Sequence, residues 1–348
     1  MMRSMTRFVA GSVVLVVLCA GAWAQEGTLV VANRAGGSIS LIDLPTRLEV
    51  ARFPIGPVIP HEVTVSPDGR RALTAEYGPN DSPGRHVVLI DIPGARILGR
   101  IDLGPDSRPH TVLFLPDGRR AVATMQDSDR LALIDLNEMA VVSTYPTGGR
   151  EGHMLRLSPD GSRAYVTSRG AEGTLSVIFL DEERAPVVIP TGPGAEGISV
   201  SPDGREVWVA NRREESISVI DTASLQVVAS VASRPFAGRV EIGPGGRAVV
   251  PNGGGGGRPV PQYLRMIDVQ SREMIAEVPL RDGTPQNGNF GLLIHGGTAF
   301  VSDPGQGTIR MFDLETLGRP GGEPQVLATA HESPDGMAWS PVRVEVMR

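Results

Sequence analysis

Short apolar runs alternate with polar turns along the chain, and one two-part pattern recurs seven times. The first part is a turn written Ser-Pro-Asp-Gly or a variant of it, at 66–69, 115–118, 158–161, 201–204, 243–246, 294–297 and, shortened, 340–341. The second part is an apolar segment that closes on an acid, at Asp43, Asp91, Asp135, Asp181, Asp221, Asp268 and Asp313. Successive copies lie 40 to 51 residues apart, and such a period is typical of repeat architectures.

The clearest copy of the repeat predicts four short strands, at 197–201, 207–210, 216–220 and 226–231. Segments of this length that are rich in Val and Ile and separated by turn residues indicate an antiparallel meander. No segment of similar length carries a 3.6-residue apolar period, so the pattern predicts almost no helix. Most of these acids begin tight turns, where Asp caps backbone amides. We interpret as structural the strand-closing Asp43, Asp91, Asp135, Asp221, Asp268 and Asp313, and the turn acids Asp68, Asp117, Asp160 and Asp203.

Two neighbouring copies carry a recognisable lettered motif. Tyr165-Val-Thr-Ser168 stands in one copy, and Val209-Ala-Asn211 followed by Ser218-Val-Ile-Asp221-Thr222 stands in the next. This sequence resembles the YVTN repeat family of β-propellers over nearly the whole chain after its first 24 residues. The resemblance implies the fold and leaves the function open, because propellers host many unrelated activities.

Counting strands predicts an all-β, seven-bladed β-propeller built from four-stranded antiparallel blades. The chain after residue 24 opens on a strand at 28–32 that has no inner strand before it, and it ends on an unpaired inner strand at 336–340. We expect the C-terminal inner strand to pair with the N-terminal strands and close the ring, which removes exposed sheet edges. The tail at 342–348 has no place in this scheme.

The first 24 residues have the pattern of a secretory signal peptide. Arg3 and Arg7 precede an apolar run at 8–18, and Ala22-Trp-Ala24 is a small-residue cleavage site. The run is short for a membrane span, so an uncleaved anchor is the weaker alternative. We expect cleavage after Ala24, one propeller domain over 25–348, and a periplasmic or secreted protein. The single cysteine, Cys19, would be removed with the peptide, leaving no thiol for disulfides or chemistry.

Bulk composition excludes some classes of partner. A net charge of −6 without any basic run argues against nucleic acid. The chain has no nucleophile elbow, phosphate loop or dinucleotide fingerprint. We expect a monomer without a membrane span once the peptide is removed.

The repeat also defines equivalent positions in the seven copies, at which candidate functional residues can be compared. In each copy, the residue six positions before the turn proline, or its equivalent, begins the inner strand, and we expect it to lie at the channel mouth. In blade order these residues are His61, His110, His153, Glu196, Gly238, Asn289 and Asp335. Three of the chain's six histidines fall in this register. Imidazoles with carboxylates suit Zn²⁺, Fe²⁺, Mn²⁺ or Cu²⁺, so the predicted metal ligands are His61, His110, His153, Glu196 and Asp335. In the alternative interpretation these residues face a wet channel too far apart to share an ion.

The same predicted face carries further polar residues. The candidates for ligand binding are Glu76, Arg108, Arg150, Asn211 and Arg239. Arginine can fork onto the carboxylate of an anionic small molecule, although each residue singly is also explained as solvated surface. Tyr77, Gln126, Arg169, Arg212 and Asn252 fall on this face as well. Two long insertions lie there, at 76–86 and 252–263, and we interpret the glycines at 253–257 as a lid or linker.

Three functions fit these observations. The first is a binding scaffold for a protein, glycan or small molecule, which needs no cofactor. The second is a metal- or His/Arg/Glu-dependent hydrolase or lyase, because the segment Arg108-Pro-His-Thr-Val-Leu-Phe-Leu-Pro-Asp-Gly118 is similar to propeller lactonases. The third is a periplasmic accessory to a redox enzyme system. This function is implied only by the proteins with which members of the YVTN family are associated. Whether the protein is an enzyme stays open.

Overall fold

The structure is a computed structural model that describes residues 25–56, 59–253, 260–281, 290–327 and 332–344. The predicted signal peptide, Asn289, most of the glycine segment and the end of the tail lie outside the described residues. Regular structure in the described ranges consists of 28 strands in seven four-stranded sheets, with no helix. Accordingly, the described chain offers no helix long and apolar enough to cross a membrane.

Each sheet is one antiparallel blade, and we number the blades from the N-terminus. Blade 1 contains β1 (Thr28–Asn33), β2 (Ser38–Asp43), β3 (Leu48–Pro54) and β28 (Pro334–Ser340). Blade 2 contains β4 (Pro60–Val65), β5 (Arg71–Glu76), β6 (His86–Asp91) and β7 (Arg96–Asp102). Blade 3 contains β8 (Pro109–Phe114), β9 (Arg120–Met125), β10 (Arg130–Asp135) and β11 (Ala140–Pro146).

In the remaining four blades, as in blades 2 and 3, the strands follow one another in sequence from the inner to the outer strand. Blade 4 contains β12 (Gly152–Leu157), β13 (Arg163–Ser168), β14 (Thr174–Phe179) and β15 (Val187–Pro190). Blade 5 contains β16 (Ala195–Val200), β17 (Glu206–Asn211), β18 (Ser216–Asp221) and β19 (Gln226–Ala232). Blade 6 contains β20 (Glu241–Gly243), β21 (Arg247–Pro251), β22 (Gln262–Asp268) and β23 (Met274–Arg281). Blade 7 contains β24 (Leu292–His295), β25 (Thr298–Asp303), β26 (Thr308–Asp313) and β27 (Gln325–Leu327). The predicted seven-bladed, all-β propeller is confirmed.

Blade 1 closes the ring in the way that the strand count predicted. The C-terminal strand β28 pairs antiparallel with β1, from Thr28 opposite Ser340 onward. The start of the tail, which the sequence left unplaced, also joins this blade, because Arg343 donates to both carboxylate oxygens of Asp43 at 2.7 and 2.9 Å. The first and last segments of the propeller therefore share one sheet.

The core is a set of seven apolar clusters, each packed between two neighbouring blades. In β1, Val30 and Ala32 pack toward blade 2, whereas Leu29 and Val31 pack toward blade 7. Side chains alternate between the two faces of a strand, and both faces of a blade are covered. This arrangement explains why the middle strands are continuously apolar rather than alternating.

The turn acids are structural, as predicted. Asp160 accepts the backbone N–H of Ser162 at 3.1 Å and the hydroxyl of Ser158 at 2.5 Å. Asp221 likewise accepts the backbone N–H of Ser224 at 2.7 Å. Asp91 departs from this pattern, since its carboxylate accepts from the Arg96 side chain at 3.2 Å.

Candidate functional site at the channel mouth

Bulges in the inner strands place the predicted register residues. Pro60 pairs with Glu76 and Val63 next pairs with Thr74, so that two residues, 61 and 62, lie opposite one. Similar register shifts occur at His110, His153, Glu196 and Asp335. A bulge bends its strand and changes the direction of its side chains. The repeated bulge therefore gives these residues a common position at the start of their inner strands.

A hydroxyl on the second strand of a blade fixes each of three register residues. Thr124 donates to the carbonyl of His153 at 3.0 Å, and Thr167 donates to the carbonyl of Glu196 at 2.9 Å. Ser302 donates in the same way to Asp335 at 3.1 Å. Each bond joins one blade to the inner strand of the next. The threonine of the Tyr-Val-Thr motif is thus a positioning residue for the neighbouring blade.

Three histidines on consecutive blades form a buried row, which we call the imidazole row: His61, His110 and His153. The ring centroids of His61 and His110 are 4.3 Å apart, and those of His110 and His153 are 3.6 Å apart. Tyr77 meets the first two rings edge-on at 5.5 and 5.1 Å. All three histidines are at least nine-tenths buried. These three register residues are therefore in contact rather than spread around a wet opening.

Two carboxylates meet the imidazole row at His61. The Nδ1 atom of His61 lies 3.2 Å from Asp335 and 3.3 Å from Glu62, without the alignment of a hydrogen bond to either. Arg239 stands in the loop before β20 of blade 6 and lies 2.5 Å from Glu62. Burial alone would raise the pKa of Glu62, but Arg239 and then His61 outweigh it and hold that pKa at about 2. We call His61, Glu62 and Asp335 the acidic cluster.

Burial disfavours the charged form of the other two histidines. Burial is the main cause that lowers the pKa of His110 well below its ordinary value, and the neighbouring imidazoles of His153 and His61 act in the same direction. Burial and then Arg169 lower the pKa of His153 in the same direction. Within the described ranges, Nε2 of His110 and Nδ1 of His153 have no hydrogen-bond partner. A neutral imidazole with a free nitrogen is the form that binds metals.

The structure divides the five predicted metal ligands into three groups. His61 and Asp335 lie together in the acidic cluster, where their ligand atoms and one from Glu62 lie within 4.8 Å of one another. His110 and His153 continue the imidazole row away from that cluster. Glu196 turns to Arg212, whose Nη1 lies 3.1 Å from its carboxylate. Gly238, the register residue of blade 6, precedes Arg239, which supplies the side chain there.

Of the five predicted ligand-binding residues, only Arg239 reaches the acidic cluster. Glu76 is buried within blade 2, where it pairs with His86 at 2.9 Å and with Arg100. Asn211 is buried in blade 5, and its amide donates to the hydroxyls of Ser216 and Ser218, both at 2.9 Å.

The other two predicted arginines lie in loops that lead into inner strands, Arg108 before β8 and Arg150 before β12. We call the surface formed by these loops and by the loops after the second strands the mouth face. Arg108 lies over the ring of Tyr77, with Cζ 4.3 Å from the ring centroid, and donates to Asn80 at 2.5 Å. Arg150 is exposed beside Gly170, where a Cβ would meet the Cβ of Arg150 at 3.5 Å.

A cavity of about 320 Å³ opens on the mouth face between blades 4 and 5, and we call it the arginine pocket. Its lining residues are Glu151, Arg169, Gly194, Glu196, Arg212, Arg213 and Phe236. Three guanidinium groups and two carboxylates leave it with a single net positive charge. The pocket adjoins the imidazole row, since the charge of Arg169 acts on both His110 and His153.

Sequence reasoning missed Glu62, Arg213 and Phe236. Glu62 is the second residue of the bulge that begins at His61, so one repeat position supplies two side chains to the channel mouth. The repeat marked only the first of the two. Arg213 and Phe236 stand in loops whose paths the repeat does not fix, although Arg169 and Arg212 were expected on this face.

Comparison with known proteins agrees with the fold. A family model described as YNCE-like beta-propeller matches residues 121–280. The chain is 25% identical to Protein NirF of Stutzerimonas stutzeri over 62% of its own length and 59% of that protein. It is 23% identical to Hydrazine synthase subunit beta of Kuenenia stuttgartiensis over 47% of its length and 54% of that protein. The matched region thus spans little more than half of either curated relative.

Two solved structures share the architecture. Hydrazine synthase of Kuenenia stuttgartiensis matches with a TM-score of 0.63 and 20% identity, over 74% of this chain and 77% of that one. A functionally unknown protein of Desulfotomaculum acetoxidans DSM 771 matches with a TM-score of 0.72 and 15% identity, over 92% of this chain and all of that one. At these identities the similarity shows the fold alone.

Proposed function

We propose that this protein is a binding propeller that acts in the periplasm or outside the cell, with its site on the mouth face and a divalent transition metal in the acidic cluster. The observation that carries the proposal is the buried imidazole of His61, whose Nδ1 lies within 3.3 Å of two carboxylates. The residues at 1–24 support the location. One relative is named as an enzyme subunit, which supports a role as a partner within an assembly.

The donor set of the acidic cluster suits first-row metals. One imidazole and two carboxylates are ligands that Zn²⁺, Mn²⁺ and Fe²⁺ accept in proteins. His110, with its free Nε2 and its ring 4.3 Å from that of His61, is placed to add a second imidazole. A competing explanation is that Arg239 alone balances the carboxylates, because it lies 2.5 Å from Glu62 and 3.8 Å from Asp335. Metal binding separates the two explanations.

The first test is metal content. We expect protein purified without an affinity tag, or reconstituted with Zn²⁺ or Co²⁺ after chelation, to retain about one ion per chain by elemental analysis. His61→Ala and Asp335→Asn should each lower metal affinity by about tenfold or more, because each removes a ligand. Glu62→Gln should weaken binding while it preserves the shape of the side chain.

The matched control is His86→Ala. His86 also lies beside a carboxylate, with Nδ1 2.9 Å from Glu76, but it stands on β6, the third strand of blade 2, outside the acidic cluster. Its loss should leave metal content unchanged. A folded wild-type protein that retains no ion, or a His61→Ala variant that retains as much as wild type, would contradict the metal site. The same samples test the hydrolase or lyase alternative, by turnover of a lactone or ester with and without chelator.

A further inference from the structure

The arginine pocket contains two guanidinium groups without a carboxylate partner. Arg212 is held by Glu196 at 3.1 Å. In the described part of the chain, Arg169 and Arg213 make no ion pair, and the side-chain hydrogen bond of Arg169 to Gln126 is long, at 3.5 Å. The Nε atom of Arg169 is buried without any hydrogen-bond partner there. A buried donor left unpaired is unfavourable, so the pocket holds cationic donors that an incoming anion would satisfy.

A backbone hydrogen bond and a close contact at a glycine hold the walls of the pocket in place. The backbone N–H of Phe236 donates to the carbonyl of Arg212 at 3.1 Å, which ties the loop before β20 to the loop after β17. Gly194 has a φ of +75°, and a Cβ there would lie 2.9 Å from Cγ of Arg213. Only glycine therefore allows the Arg213 side chain to lie against this turn. Phe236 adds an aromatic wall to the cationic side.

We infer that the arginine pocket binds a small monocarboxylate that carries a planar apolar group. The carboxylate would lie between the guanidinium groups of Arg169 and Arg213, which can each fork onto its oxygens. The apolar group would pack on Phe236. A single net positive charge favours a monoanion, because Glu151, which makes no ion pair within the described residues, repels a second negative charge. The inference specifies the class of ligand that binds on the mouth face. It rests on the proposed function only in placing the binding site on that face, and it does not require a bound metal.

The experiment measures binding of benzoate and phenylacetate to the full chain by thermal stabilisation and calorimetry. Benzamide is the neutral comparison, acetate lacks the ring, and phthalate adds a second charge. We expect stabilisation by the two aromatic monocarboxylates, with the other three compounds weaker. Arg169→Ala and Arg213→Ala should each weaken benzoate binding by about tenfold or more, since each removes a charge-assisted contact. Arg213 is exposed, so its variant should fold normally.

Arg119→Ala is the matched control, because it removes the same charge from an exposed turn of blade 3. An equal loss in this control, or no binding of any carboxylate to the wild type, would overturn the inference. Each titration is repeated on chelated and on Zn²⁺-loaded protein. Benzoate that binds only the loaded form, with Arg169→Ala and Arg213→Ala unaffected, would place the anion on the metal and refute the pocket. Carboxylate binding that persists in metal-free protein supports the pocket whatever the outcome of the metal analysis.

Discussion

At the scale of single residues, the acidic cluster depends on a close approach between the inner strands β28 and β4. Gly336 permits this approach, because a Cβ there would lie 2.5 Å from the carbonyl oxygen of His61 and 2.7 Å from Cα of Glu62. The neighbouring residue, Asp335, then lies 3.2 Å from Nδ1 of His61. The register identified His61 and Asp335 as partners across the ring closure. It did not identify Gly336, because a close backbone contact leaves no mark in an apolar pattern.

Gly336→Ala should lower the free energy of unfolding by about 1–3 kcal/mol, because the new methyl group overlaps the backbone of β4. Chemical denaturation measures the loss. Gly152→Ala is the control, since it also lies in an inner strand but its Cβ would meet Thr147 and Val166 at an ordinary 3.6 Å. Equal effects of the two substitutions would contradict the importance of the close approach.

At the scale of elements, the Pro-Asp-Gly turns and the inner-strand bulges have different roles. In the turn at 158–161, Asp160 accepts hydrogen bonds from Ser158 and Ser162, and these bonds lower its pKa. The turn was predictable because its residues interact with near neighbours in sequence. The bulges were not, because each depends on how many residues two paired strands place opposite each other.

Asp160→Asn tests the turn by its pH dependence. The folded-state pKa of Asp160 lies below its ordinary 3.8, so its charge adds stability above the unfolded-state value that is lost as the pH falls through the folded-state pKa. The variant should be less stable at neutral pH, by under about 1 kcal/mol at this exposed site. The difference should disappear in strong acid. Urea unfolding over this range measures it.

Asp181→Asn is the control for this pH dependence. Asp181 is another aspartate of blade 4, two residues after β14, but its side chain makes no hydrogen bond within the described residues. Its substitution should change stability little at any pH. A difference for Asp160→Asn that stayed constant down to strong acid would show that the charge contributes nothing.

At the scale of the whole molecule, stability comes from closing a ring of seven interfaces between blades. Each apolar cluster joins two neighbours, and the last one joins blade 7 to blade 1 through Met337 of β28. Without β28, blade 1 would lose its inner strand and expose the edge of β1. An unpaired strand edge favours aggregation.

A chain that ends at Ser333 should therefore aggregate or unfold at a markedly lower temperature than the full chain. Gel filtration and thermal circular dichroism measure both effects. A chain that ends at Val344 retains β28 and the pair between Arg343 and Asp43, so it should behave like the full chain. A stable monomer that lacks β28 would contradict closure as the source of stability.

The sequence by itself determined the strands, the seven blades, the closure of blade 1 and the register that includes His61, His110, His153 and Asp335. These features follow from local patterns of apolar and turn residues, which repeat because each blade solves the same packing problem. Only the tertiary structure decided that His61 meets Glu62 and Asp335, that Glu196 turns away to Arg212, and that Arg169, Arg213 and Phe236 line one pocket. Those contacts join residues from different blades, and their distances depend on bulges and close strand contacts that no single repeat encodes.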